Sequence, residues 1–184
     1  TSLNVENITA LADKTGTAWG IKADGTDSSV IVNEETAVNM GALTVTSKNG
    51  SAYGLDAENG AANSIYGLTT VEVSGNADKT TGEIAGVMAN GANSSNNLTM
   101  NGAITITAGT GRASGVIGLG QSTNKVTGVT GITATSTVSG DALGIYAQDS
   151  TNTITGTNAA VSATAVSGEV DGIVTAPLNK AAMH

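Results

Sequence analysis

Three short phrases of alternating apolar and polar residues recur in a fixed order along the chain. The first reads Ile8-Thr9-Ala10, Leu43-Thr44-Val45-Thr46, Val71-Glu72-Val73-Ser74, Ile104-Thr105-Ile106-Thr107, Ile132-Thr133-Ala134-Thr135 and Val161-Ser162-Ala163-Thr164. A period of two is the signature of a strand with one buried face. The second phrase follows each of these as Ala-x-Gly-[Ile/Leu/Val]-x-Ala or a close variant, and places a shared glycine at 20, 54, 86, 115, 144 and 172, with spacings of 34, 32, 29, 29 and 28. The third is shorter: Val30-Ile31-Val32, Ile65-Tyr66, Leu98-Thr99-Met100, Val126-Thr127 and Ile154-Thr155. Between the phrases lie corner signals such as Asp24-Gly25-Thr26-Asp27, Asn59-Gly60, Asn90-Gly91 and Asn101-Gly102, residue types that accept the positive φ of tight turns.

A repeat of 28–35 residues holding three strands and no helix signal predicts an all-β, single-chain parallel β-solenoid. The expected object is one domain over residues 1–184 with about six coils of three short strands, starting near 8, 43, 71, 104, 132 and 161. At the strand spacing of about 4.8 Å it stands about 30 Å tall. Its core is read as columns. Ile8, Leu43, Val71, Ile104, Ile132 and Val161 form one, and Ile21, Leu55, Val87, Val116, Ile145 and Ile173 form another. The repeated glycine marks a bulge or a close backbone approach, because strict alternation would bury Ala18 or Ile21 but not both.

Composition explains why such a core is needed. Aromatic residues are 2% of the chain and Phe is absent, while hydrophobic residues reach 39%. β-Branched and small residues stacked in files fill a narrow cylinder without rings. The net charge of −8 repels phosphate backbones, which argues against nucleic acid as a partner. The charge is uneven, with 11 acids and four bases in residues 1–92 and four acids and three bases in residues 93–184. No apolar run is long enough to predict a transmembrane helix. The absence of Cys fits an exported chain, and the opening Thr1-Ser2-Leu3-Asn4 reads as the start of a processed or excerpted segment.

The phrases Gly50-Ser51-Ala52-Tyr53-Gly54-Leu55-Asp56-Ala57 and Gly140-Asp141-Ala142-Leu143-Gly144-Ile145-Tyr146-Ala147 resemble the right-handed β-helix repeats of autotransporter-type adhesin passenger regions from Gram-negative bacteria. The resemblance covers nearly the whole chain and lies in Gly, Ala, Thr and Asn usage and in period. It implies a secreted or cell-surface location, adhesion or self-association, and no catalysis in the solenoid.

Candidate chemistry is sparse. The single histidine is the last residue, His184, so a Ser-His-Asp arrangement has no anchor. Asp24 with Asp27, and Glu34 with Glu35, are carboxylate pairs, expected to be solvated corner charges. The calcium nonapeptide and the EF-hand loop are absent, and Gly118-Leu119-Gly120 lacks the helix a phosphate loop needs. No cofactor or metal is expected.

Two surfaces stand out. Thr44, Thr46, Thr105, Thr107, Thr133 and Thr135 form outward hydroxyl files that resemble the Thr-x-Thr arrays of ice-binding solenoids, interrupted by Glu72. A second outward file reads Lys22, Asp56, Met88, Ile117, Tyr146 and Val174. Its apolar part, Met88, Ile117, Tyr146 and Val174, is the candidate assembly surface. The leading expectation is a non-enzymatic structural or adhesive element whose partner is a second copy, stacked laterally or end to end into a filament, or a cell-surface ligand. A glycan-binding or glycan-cleaving β-helix is the alternative, for which Trp19, Tyr53 and Tyr66 would have to meet acids in one groove.

Overall fold

A computed structural model describes residues 2–3, 5–33, 35, 41–77 and 82–176. Every regular element among them is a strand. They are β1 (Ser2–Leu3), β2 (Ile8–Ala12), β3 (Ala18–Asp24), β4 (Ser29–Val32), β5 (Gly41–Ser47), β6 (Ala52–Glu58), β7 (Ala62–Gly75), β8 (Glu83–Asn90), β9 (Ser95–Met100), β10 (Ala103–Thr110), β11 (Arg112–Leu119), β12 (Thr123–Thr127), β13 (Gly131–Ser139), β14 (Ala142–Gln148), β15 (Thr151–Thr155), β16 (Ala160–Ala165) and β17 (Val170–Ala176).

All pairings are parallel, and each joins a strand to its counterpart one repeat away. The glycine phrases make a six-stranded sheet in the order β17-β14-β11-β8-β6-β3. The threonine phrases and the short third phrases share one 11-stranded sheet, joined through β7. The chain is therefore a parallel β-solenoid. The expected corner between Tyr66 and Val71 is a bend inside one continuous 14-residue strand, made at Gly67 with φ 81° and a shift in register. Five turns have all three sides, and β16 with β17 supplies two sides of a sixth, where about six coils were expected.

The columns fall where periodicity puts them. Ile8 pairs with Leu43, Leu43 with Val71, Val71 with Ile104, Ile104 with Ile132 and Ile132 with Val161. Leu43, Val71, Ile104, Leu55, Val87, Val116, Ile65, Leu98 and Val126 all belong to one buried cluster between the sheets. Burying each such side chain is worth about 1.5–3 kcal/mol.

The glycine acts as a close approach. Register passes from Tyr53↔Ala85 to Leu55↔Val87 and skips the glycine pair, which lets Ala52 and Leu55, three apart, both enter the core. Corners use left-handed residues: Asp27, Asn59, Asn93, Gln121 and Asp149 have φ between 48° and 65°. These are mostly the Asn and Asp types that tolerate that region.

One interior feature is polar. Asn63, Asn96, Asn124 and Asn152 sit in register on the third side. The Nδ2 of Asn63, Asn96 and Asn124 each donates to the Oδ1 of the next Asn at 2.9 Å. The same amides donate their other N–H to the carbonyls of Asp56, Met88 and Ile117, and Asn152 donates to that of Tyr146. The ladder stops one turn early because Val30 occupies the register position before Asn63. Asn63 Oδ1 accordingly has no partner.

Candidate functional site

The outer face of the six-stranded sheet gathers the scarce chemistry of the chain. With the glycine bulge in each strand, two residues of every turn point outward. One file is Trp19, Tyr53, Ala85, Ser114, Leu143 and Asp171, and the other is Lys22, Asp56, Met88, Ile117, Tyr146 and Val174.

At the first two turns the face is charged. Trp19 and Tyr53 stack with centroids 6.3 Å apart and planes at 18°. Lys22 Nζ lies 4.7 Å over the Trp19 ring. The same ammonium stands 2.8 Å from Glu58, 3.7 Å from Asp24 and 3.8 Å from Asp56. Burial works against this ammonium, but the Glu58 hydrogen bond and the neighbouring carboxylates outweigh it, and its pKa lies above the usual lysine value.

Asp56 is 1% exposed, accepts the Trp19 indole N–H at Oδ2 over 3.0 Å, and has no partner at Oδ1. Burial, with Glu58 beside it, pushes its carboxyl up to about 6 against the opposing pull of Lys22. The folded chain therefore takes up a proton near pH 6, which the unfolded chain takes up only near 4. Between these values the folded state binds more protons, so stability rises as pH falls through 6. Chemical denaturation at pH 7.5 and pH 5 is expected to show a gain of about 1.4 kcal/mol from this group at the lower pH. Most of that gain should vanish in Asp56→Asn.

Further along the face, Arg112 binds the buried Glu83 through both Nε, at 2.6 Å, and Nη2. The guanidinium also lies 5.9 Å from the Tyr146 ring. Burial raises the Glu83 carboxyl, and Arg112 opposes the rise. Arg112→Met strands the carboxylate and is expected to cost about 2 kcal/mol, discounted because the guanidinium is partly exposed. Adding Glu83→Gln should recover most of the loss in the same denaturation assay.

Beginning on the same strands as Glu83 and Arg112, the candidate assembly file is not an exposed strip. Met88 is 7% and Ile117 0% exposed. With Ala85 they form a second, smaller apolar cluster, against which Tyr53, Leu119 and Tyr146 pack. Tyr146 and Val174 are half-buried.

The threonine files exist in register: Thr44, Glu72, Thr105, Thr133 and Ser162 in one, and Leu11, Thr46, Ser74, Thr107, Thr135 and Thr164 in the next. Thr105, Thr107 and Thr133 are exposed, and Thr44, Thr46 and Thr135 are half-buried. Glu72 and Leu11 break the array, and the Thr46 and Ser74 hydroxyls bond each other at 3.1 Å.

Trp19 and Tyr53 thus meet Asp24, Asp56 and Glu58 on one face, whereas Tyr66 lies on β7 in the other sheet. Asp27 sits at an exposed corner. Glu34 and His184 lie outside the described residues. No group of three or more His, Cys, Asp or Glu able to hold a metal ion occurs among the described residues, and no helix there is long and apolar enough to cross a membrane.

Sequence reasoning missed the burial of Asp56 and the asparagine ladder. Both signals were periodic: Lys22 and Asp56 are one repeat apart in one file, and the ladder residues recur at 33, 28 and 28.

These features define a parallel β-solenoid with an acidic, aromatic outer patch over its first two turns. No family model, no curated protein and no solved structure matches the chain.

Proposed function

We propose that the chain is a non-enzymatic structural or adhesive solenoid of a secreted or cell-surface protein, working through its outer faces by self-association or by binding a surface ligand. The observation that carries this reading is the use of the interior. Aliphatic columns and an asparagine ladder fill the space between the sheets, which leaves the distinctive side chains on the outside. The secreted or surface location rests on the repeat resemblance and the absence of Cys.

Negative-stain electron microscopy with light scattering over a concentration series tests self-association. Filaments or closed oligomers that grow with concentration support it; a monomer at the highest concentration removes it and leaves ligand adhesion.

A glycan-binding or glycan-cleaving solenoid is the second reading, favoured by the meeting of Trp19 and Tyr53 with Asp24, Asp56 and Glu58. Lys22 Nζ lies 2.8 Å from Glu58 and 3.8 Å from Asp56, so the oxygens concerned stand no more than about 7 Å apart, and glycosidases work with two carboxyls about 5–9 Å apart. Lys22, however, occupies the space between them and lies over the indole. Release of reducing ends from a panel of polysaccharides, abolished by Asp56→Asn, would establish cleavage, and its absence would remove it.

A further inference from the structure

The charged cluster of the first two turns holds more acceptors than its one ammonium uses. Lys22 offers three N–H donors, and three carboxylates, Asp24, Asp56 and Glu58, stand within 4 Å of it. No other Lys or Arg among the described residues is ion-paired with these acids. The cluster is therefore left with surplus negative charge.

An independent observation marks the place of a missing donor. Asp56 is 1% exposed and its Oδ1 has no hydrogen-bond partner, although Oδ2 is held by the Trp19 indole. A buried carboxylate oxygen left unsatisfied is a costly arrangement in isolation. Access is close by, because Trp19 is 40% exposed and the Asp24 side chain is about half exposed.

The surroundings select the kind of donor. A metal ion needs carboxylates that converge on one point, and no such group occurs among the described residues. Here the acids surround an ammonium that also sits on an indole face, an arrangement suited to organic cations. One face of Trp19 is already covered by Lys22, and the ring stacks with Tyr53. The wider field agrees, since residues 1–92 carry 11 acids against four bases.

We infer that Trp19, Asp24, Asp56 and Glu58 form a binding site for primary ammonium groups, with Lys22 as its resident occupant, and that the partner is a lysine-rich peptide segment. Its ammonium groups enter beside Lys22 or displace it, and the side-chain movement that admits them opens Asp56 to one of them. This site does not depend on self-association, so either can fail without the other.

Trp19 is the only tryptophan, and its emission therefore reads the site directly. The whole chain is titrated at pH 7.5 and low salt with tetra-lysine, with the same peptide fully acetylated on its side chains, and with a neutral cello-oligosaccharide. The expected result is a saturable shift with tetra-lysine alone. Glu58→Gln and Asp56→Asn, each checked for folding by circular dichroism, should weaken binding by about tenfold or more. A Glu169→Gln/Asp171→Asn pair on the last turn should bind as the parent does. The inference is overturned by no response at millimolar tetra-lysine, by an equal response to the acetylated peptide, or by a response to the oligosaccharide alone. It is equally overturned if the last-turn pair weakens binding as much as the cluster variants, which would mean diffuse charge attraction.

Discussion

Gly86→Ala should be strongly destabilising, with an expected loss of about 3 kcal/mol or more. A Cβ built at Gly86 lies 2.6 Å from the Gly115 carbonyl oxygen, 2.6 Å from Ile104 Cγ2 and 2.9 Å from Ile106 Cδ1. Two of these are fully buried core side chains, and the third is backbone of the next turn. Overpacking alone costs about 1–3 kcal/mol, and displacement of a paired strand adds to it. Gly172 is the internal control. It stands in the same column on the last described turn, where an added Cβ meets nothing within 4 Å, so Gly172→Ala should change stability by less than about 0.5 kcal/mol. Urea denaturation of both variants measures the contrast. Equal losses would mean that the glycine column serves some purpose other than close stacking.

Asn124→Leu is expected to cost about 3 kcal/mol. The replacement keeps the shape of the side chain but removes two donated bonds and one accepted bond. It leaves Asn96 Nδ2, Asn152 Oδ1 and the Ile117 carbonyl each short of a partner. Each such group, where buried, costs about 1–3 kcal/mol, and the networked arrangement makes the loss cooperative. Asn63→Leu should cost less. Asn63 donates twice but accepts nothing, so its removal also deletes an oxygen that is already unsatisfied. The ordering of the two losses in urea denaturation distinguishes a working ladder from asparagines that are interchangeable with any residue of their size.

These two cases also show what a linear sequence discloses. The glycine column was legible because its residues break a two-residue alternation at a fixed period, and a break repeated six times has a geometric cause. The aliphatic columns were legible for the same reason. The ladder was not, because Asn is common in corners. Nothing local separates the exposed Asn59 from the buried Asn96, and only the register with the carbonyls of the neighbouring side does so. Asp56 was visible as a charged member of an outward file, and an outward charge is ordinarily solvated. Its burial follows from neighbours supplied by two different turns, Trp19 and Lys22 on one and Glu58 on its own. Met88 and Ile117 stand in register with Lys22 and Asp56, and both are buried in a cluster with Ala85, which a linear pattern of apolar residues does not disclose. Ile65-Tyr66 and Val71-Glu72-Val73-Ser74 were read as separate strands, and they join into one because Gly67 supplies a bend without ending the strand.

The central claim is a stack of turns in parallel register, and distances between spin labels on one file test it most directly. The chain has no cysteine, so labels attach only where Cys is introduced. Thr9, Thr44 and Ser162 occupy one outward file, with Thr9 five turns and Thr44 four turns from Ser162. At about 4.8 Å per turn, the account predicts label separations near 24 Å for the 9/162 pair and near 19 Å for the 44/162 pair. Separations that do not change by about one strand spacing between the two pairs, or that exceed about 35 Å in either, would contradict it.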